Sequence, residues 1–174
     1  MAACFPDQLA ELLNEKCPPA ETHTVVLWTK NPSNLLRHEV LRQTCTKYPL
    51  YLHFTITGLG ATVLEPNVPR TSEMLNLLGP LVEFLANPAR IRIRFDPIVH
   101  LKSASGESFC NLEYFEEIAE EAARLDIRCF STSWMCAYKK VVSRLRTHGF
   151  EEIEVSTERR DEEYHYLLRT SAKY

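Results

Sequence analysis

The segment IRIRFDPIV, Ile91 to Val99, places Arg92, Arg94 and Asp96 at every second position. Side chains two apart on an extended strand share a face. One face is therefore Arg92, Arg94 and Asp96, and the other is Ile91, Ile93 and Phe95. Arg94 and Asp96, with Cα atoms roughly 6.5 to 7 Å apart on a strand, offer a cation beside an anion. The pair can take a ligand's carboxylate on the guanidinium and its hydroxyl or amine on the carboxylate. The same two residues can instead form a mutually satisfied ion pair that is costly to break. Lys30 ends another strand-like run just ahead of a helix start, where it can meet a phosphate or carboxylate or snorkel at the surface. Glu65 lies in the loop after a second such run, and loops on rigid scaffolds often carry sites. Thr57-Gly58-Leu59-Gly60 offers backbone N–H groups without a full phosphate-binding fingerprint.

Metal and thiol chemistry have weaker sequence support. The six cysteines, Cys4, Cys17, Cys45, Cys110, Cys129 and Cys136, contain no CxxC pair. The closest two, Cys129 and Cys136, are too far apart for a compact local knuckle. The N-terminal MAACFPDQLAELL has neither a basic start nor a long apolar core, so it is not read as a signal peptide. Free thiols in a reducing cytoplasm follow from this. The six histidines show no HxH or HxxxH spacing and read as structural or surface residues, and no metal site is expected. A metal-dependent lyase or hydrolase built on Glu65 and Asp96 would need His53 or His100 as a further ligand.

Composition narrows the partners. Net charge is −3, from 20 basic and 23 acidic residues, which argues against a nucleic-acid footprint. No apolar run approaches the ~20 residues that span a bilayer. A length of 174 residues suits one domain with a sizeable core.

The elements that must position these residues alternate. Helical spacing marks 7–16, 31–48, 71–86, 111–125, 137–148 and the stretch TERRDEEYHYLLRTSAKY, with Tyr164, Leu167, Leu168 and Ala172 inward in the last. Gly79-Pro80 should kink or split the third of these. Strand-like runs fall at 22–29, 50–57, 90–96 and 127–133, and Trp28 in the first reads as core. HLKSASGES reads as a polar loop. The glutamates of 111–125 form a solvated face, and the basic stretch at 137–148 lacks the interleaved aromatics of a nucleic-acid platform.

Strand–helix alternation of this spacing implies parallel strands with crossover helices. Strands buried on both faces read as continuous apolar runs, but each of these carries one polar face. A partial TIM-like (β/α) barrel of about four strands accounts for that. Outward side chains meet helices, inward ones line the lumen, and functional groups gather at the strands' C-terminal ends. Lys30, Thr57, Asp96 and Ser133 fall at such ends. The alternative is an open doubly wound sheet. Four strands do not close a barrel, so residues 1–174 are expected to be an incomplete single domain with open edges suited to self-association.

VVLWTKNP (25–32), FTITGLG (54–60), LEPNVP (64–69), RIRFDPIV (92–99) and YKKVVSRLRTHG (138–149) together resemble the family called domain of unknown function 1848. That family is similar to radical S-adenosylmethionine (SAM) enzymes, and the resemblance covers about residues 22–172. It implies a partial β/α barrel, SAM as ligand and a [4Fe–4S] cluster that cleaves it. The methionine end of SAM is a zwitterion of the kind Arg94 and Asp96 can hold, with Lys30, Thr57 and Glu65 completing the site. Family members carry the cluster cysteines in a segment that this chain lacks, and they open on an Arg-Thr-Asp stretch absent here. The expected function is thus a radical-SAM-like barrel domain that binds SAM or a related small molecule without radical chemistry. A non-catalytic ligand- or partner-binding module is the alternative.

Overall fold

A computed structural model describes residues 2–174, and Met1 lies outside that range. In chain order the elements are α1 (Pro6–Lys16), β1 (Val25–Thr29), α2 (Ser33–Arg37), α3 (Glu39–Cys45), β2 (Leu50–Thr55), α4 (Thr71–Leu75) and α5 (Leu78–Leu85). There follow β3 (Ile91–Ile98), β4 (His100–Ser103), β5 (Ser108–Cys110), α6 (Phe115–Arg124), β6 (Cys129–Trp134), α7 (Lys139–Thr147), β7 (Phe150–Glu152) and α8 (Thr157–Ser171).

The fold is mixed α/β. Four parallel strands form one sheet in the order β1-β2-β3-β6. The order follows the chain without the reversal that marks a doubly wound sheet. Period-two alternation decides which face is dry. Leu50, Leu52 and Phe54 of β2 and Ile91, Ile93 and Phe95 of β3 are buried, in one core with Leu9 and Leu13 of α1, Leu35 of α2, Leu41 of α3, Leu81 of α5 and Ile118 of α6. Each such side chain contributes roughly 1.5–3 kcal/mol by leaving water. The opposite face carries Trp28, Tyr51, His53, Arg92, Arg94 and Asp96, all exposed or partly so.

Trp28 was expected in the core and is instead 66 % exposed. It points to the polar face, and β1 is an edge strand with a neighbour on one side only. The single helix expected over 31–48 is two, because His38 is extended at φ −87° and ψ 105°. Its Nδ1 accepts from the Leu41 N–H at 3.3 Å, capping α3. The break also turns Val40 outward, where it is 53 % exposed.

The split expected in 71–86 occurs at Asn76–Leu77 rather than at Gly79-Pro80. Pro80 sits in the first turn of α5, where its missing N–H costs nothing. The polar loop expected after β3 is an antiparallel hairpin, β4–β5, and β7 adds to its other edge. Gly106 at φ +89° makes the hairpin turn. These strands are too short to show a period, but Leu101 is buried with Leu59, Val99 and Leu145 in a second small core.

In α8 the buried stripe is Glu163, Leu167 and Thr170, while Tyr164 and Leu168 are each 50 % exposed and Ala172 is exposed. A carboxylate holds the buried position expected of an aromatic ring, for reasons given below. Opposite the glutamates of 111–125, the apolar stripe Leu112, Phe115, Ile118, Ala119 and Ala122 is buried. No helix among the described residues is long and apolar enough to cross a membrane.

Candidate site at the carboxyl ends of the strands

The polar face is ordered by cross-strand neighbours. Trp28 pairs with His53 in register, His53 with Arg92, and Arg92 with Cys129. The Trp28 and His53 rings lie 5.1 Å apart, and Tyr51 adds a third ring 5.3 Å from His53. Arg92 Nε donates to Cys129 Sγ at 3.1 Å. Partial burial, together with the positive charges of Arg92 and Arg94, pushes the His53 pKa down.

Toward the strand ends the charges pair. Arg94 forms an ion pair with Asp96, and the Ser133 hydroxyl donates to the other oxygen of Asp96. The Arg94 guanidinium also lies over the Trp28 ring, 5.0 Å from its centroid, a cation–π arrangement. Ser131 stands beside Arg94 in register on β6, and its buried hydroxyl has no hydrogen-bond partner among the described residues. Lys30, just past β1, pairs with Glu65. The Thr57 hydroxyl donates to the second Glu65 oxygen at 2.8 Å.

Five residues singled out in the sequence therefore form two groups at the same end of the sheet: Lys30, Thr57 and Glu65 on one side, Arg94 and Asp96 on the other. The side chains of Glu65, Asp96 and Arg94 are 13 %, 18 % and 26 % exposed, so solvent reaches both pairs without dissolving them.

The loop that carries Glu65 is built by local chemistry. Ala61 N–H donates to the carbonyls of both Glu65 and Val68, and Thr62 Oγ1 donates to the Leu59 carbonyl at 2.6 Å. Gly58 adopts φ +81°, and a Cβ there would lie 2.3 Å from the Tyr114 ring. A Cβ on Gly60 would lie 1.9 Å from the Pro69 carbonyl oxygen. The two glycines thus allow the close approach of the Tyr114 ring and of the Pro69 carbonyl to this loop.

Asn111 was missed as more than a helix start. It is fully buried. Its Oδ1 accepts from Val99 N–H at 2.8 Å, and its Nδ2 donates to the Thr57 and Pro97 carbonyls at 2.9 and 3.1 Å. One amide so ties the end of β2 to the end of β3, next to Asp96. The Asp96–Pro97 peptide is cis, and Pro97 lies where the β3–β6 ladder breaks register between Phe95 and Ile98.

The residues present do not fit a [4Fe–4S] cluster, which is held by thiolates. Cys45 is buried, Cys4 and Cys136 are exposed, and Cys129 is engaged by Arg92. Among the described residues, the one group of three or more ligand-type side chains is His100, Cys110 and Glu163, with a single thiol. Glu65 and Asp96 are outside that group. SAM asks for something different, a cation for its carboxylate and an anion for its ammonium. Both are present in the paired strand-end residues.

A parallel α/β domain with helices packed on the sheet's apolar face and ion pairs gathered at the strand ends of its polar face is the class that fold and site define. Within it, the chain belongs to the family described as Domain of unknown function (DUF1848), whose model matches residues 6–174. No curated protein and no solved structure matches the chain.

Proposed function

We propose that the chain is a partial TIM-like barrel domain that binds a small zwitterionic ligand at the carboxyl ends of β1, β2 and β3. The amino-acid end of SAM is the favoured example. The observation that carries this reading is the pairing of Lys30 with Glu65 and of Arg94 with Asp96 at one end of the polar face. In β/α barrels that end is where ligands bind.

A zwitterion can exchange into such pairs without a net change of charge. Its carboxylate takes the place of Asp96 on Arg94, and its ammonium is taken by the released carboxylate. Lys30, Glu65 and Thr57 then serve the remainder of the ligand, with the Glu65 carboxylate suited to ribose hydroxyls.

Isothermal titration with SAM, and with methionine as its zwitterionic end, tests the reading. Binding that falls at least tenfold in Arg94→Gln and Asp96→Asn supports it. Absence of binding to either ligand by the folded protein refutes it.

A second reading is pairing with another copy along the open sheet edge. It is favoured by Val26 and Trp28, which are exposed on edge strand β1. Light scattering after size exclusion decides it: a dimer dispersed by Val26→Lys supports edge pairing, and a monomer at high concentration removes it.

A further inference from the structure

Away from the strand-end site, Glu163 of α8 is a carboxylate with only 3 % of its side chain exposed. Its Oε2 accepts from Trp134 Nε1 at 2.7 Å, and its Oε1 accepts from Arg159 Nε at 2.9 Å. Both oxygens also face His100 Nε2, at 3.0 and 3.1 Å. Cys110 Sγ also stands 3.6 Å from the same nitrogen. His100 opens β4, Cys110 ends β5, and the two are directly paired across the hairpin.

Nε2 has one N–H or one lone pair, yet two carboxylate oxygens and a sulfur crowd around it. No tautomer satisfies all three. A Cys–His–Glu catalytic relay is also ruled out by this arrangement. Such a relay needs the thiol and the carboxylate on opposite ring nitrogens, whereas here both address Nε2.

The geometry points to a binding site for a zinc-type divalent ion held by His100 Nε2, Cys110 Sγ and a Glu163 carboxylate oxygen. Zinc bond lengths in a tetrahedron set the nitrogen–sulfur edge at about 3.6 Å and the nitrogen–oxygen edge at about 3.3 Å. The observed edges of 3.6 Å and 3.0–3.1 Å are close to both. All the ligand atoms lie within 4.8 Å of one another, and binding would draw sulfur and carboxylate together. The ion replaces the thiol proton of Cys110, which is released to solvent, and takes the Nε2 lone pair of neutral His100, whose ring proton then sits on Nδ1.

Trp134 and Arg159 already orient the carboxylate, as outer partners do in metal sites. The mix of thiolate, imidazole and carboxylate suits zinc better than magnesium or calcium. Three protein ligands leave a fourth position. His100 also borders a cavity of about 580 Å³ lined by Trp134, Cys136, Glu152 and Arg160, from which a water or small ligand would enter. Bound metal would clamp the β4–β5 hairpin to α8.

Cobalt(II) is the probe. The full chain, stripped of metal with chelator and reduced, is titrated anaerobically. One equivalent is expected to bind with thiolate-to-cobalt charge-transfer absorption and the intense visible bands of a tetrahedral site, both displaced by zinc. Cys110→Ser should abolish the charge-transfer band and weaken binding by more than about 100-fold, beyond what outer-partner changes alone cause. Glu163→Gln should weaken binding while keeping the band. Should that variant lose its circular dichroism, Cys110→Ser carries the decision, since serine keeps the shape of the side chain and removes only the sulfur. The proposal is overturned by no cobalt binding up to millimolar concentration, by binding without a thiolate band, or by a band that survives in Cys110→Ser.

Discussion

Asn111 offers the sharpest test of how the strand ends are held. Replacing it with alanine removes the partner of three main-chain groups in one step: Val99 N–H, Thr57 C=O and Pro97 C=O. The side chain is completely buried, so bulk water does not step in. Each buried group left unpaired costs about 1–3 kcal/mol. The carbonyls keep a second lone pair, which puts them at the low end, and the loss should come to about 4 kcal/mol. Against a total stability of about 5–15 kcal/mol, that is a large fraction. With an m-value near 2 kcal/mol/M it moves the urea midpoint down by about 2 M.

Asn111→Leu keeps the number and branching of side-chain heavy atoms without hydrogen bonds, so it leaves no cavity while the polar partners are lost. It should remain about 3 kcal/mol or more below wild type. Urea denaturation followed by circular dichroism measures both variants. A loss under 1 kcal/mol for alanine, or near-wild-type stability for leucine, would show that the amide does not hold the strand ends together.

Three further expectations concern other parts of the chain. Gly60→Ala drives a methyl into the Pro69 carbonyl and should cost about 3 kcal/mol by overpacking; a urea midpoint within error of wild type would contradict it. The lowered pKa of His53 means that below its ordinary value of 6.5 the unfolded chain binds that proton more readily than the folded one. Stability is therefore lost as pH falls through this range, and His53→Asn should flatten that part of the urea midpoint–pH profile. Parallel profiles for the two proteins would rule this out. Burial pushes the Cys45 thiol up to about 11, whereas Cys4 and Cys136 are exposed. Peptide mapping after alkylation at neutral pH should find Cys4 and Cys136 labelled first and Cys45 only in denaturant; equal labelling in the native protein would contradict the burial.

The parallel sheet and its polar face were legible because period two is a strong signal in strands of five to eight residues. Arg94 and Asp96 could be placed on one face, and Lys30 and Thr57 at strand ends, from alternation alone. Trp28 was misplaced by the usual link between indole size and burial, which fails on an uncovered face. The β4–β5 hairpin was lost because strands of four and three residues leave no period to detect. Its Ser105-Gly106 turn was the one available cue.

Glu163 was lost for a different reason. Its spacing to Leu167 and Thr170 fits a buried stripe as well as the spacing of Tyr164 to Leu168 does, and hydrophobicity favoured the second. Only the partners His100, Trp134 and Arg159 explain a buried carboxylate, and of these only Arg159, four residues earlier on the same helix, is a local neighbour. Asn111 was hidden likewise: an asparagine before a helix reads as a cap, while its amide here serves the ends of two strands.

The chain has two tryptophans, and they report on different places. The Trp28 indole sits under Arg94, so any molecule that draws the guanidinium aside alters its emission. Trp134 donates to Glu163, so its fluorescence follows the state of that carboxylate instead. Trp28→Phe and Trp134→Phe would each leave a single tryptophan, excited apart from the seven tyrosines at the red edge of absorption, giving two separate optical channels without an added label.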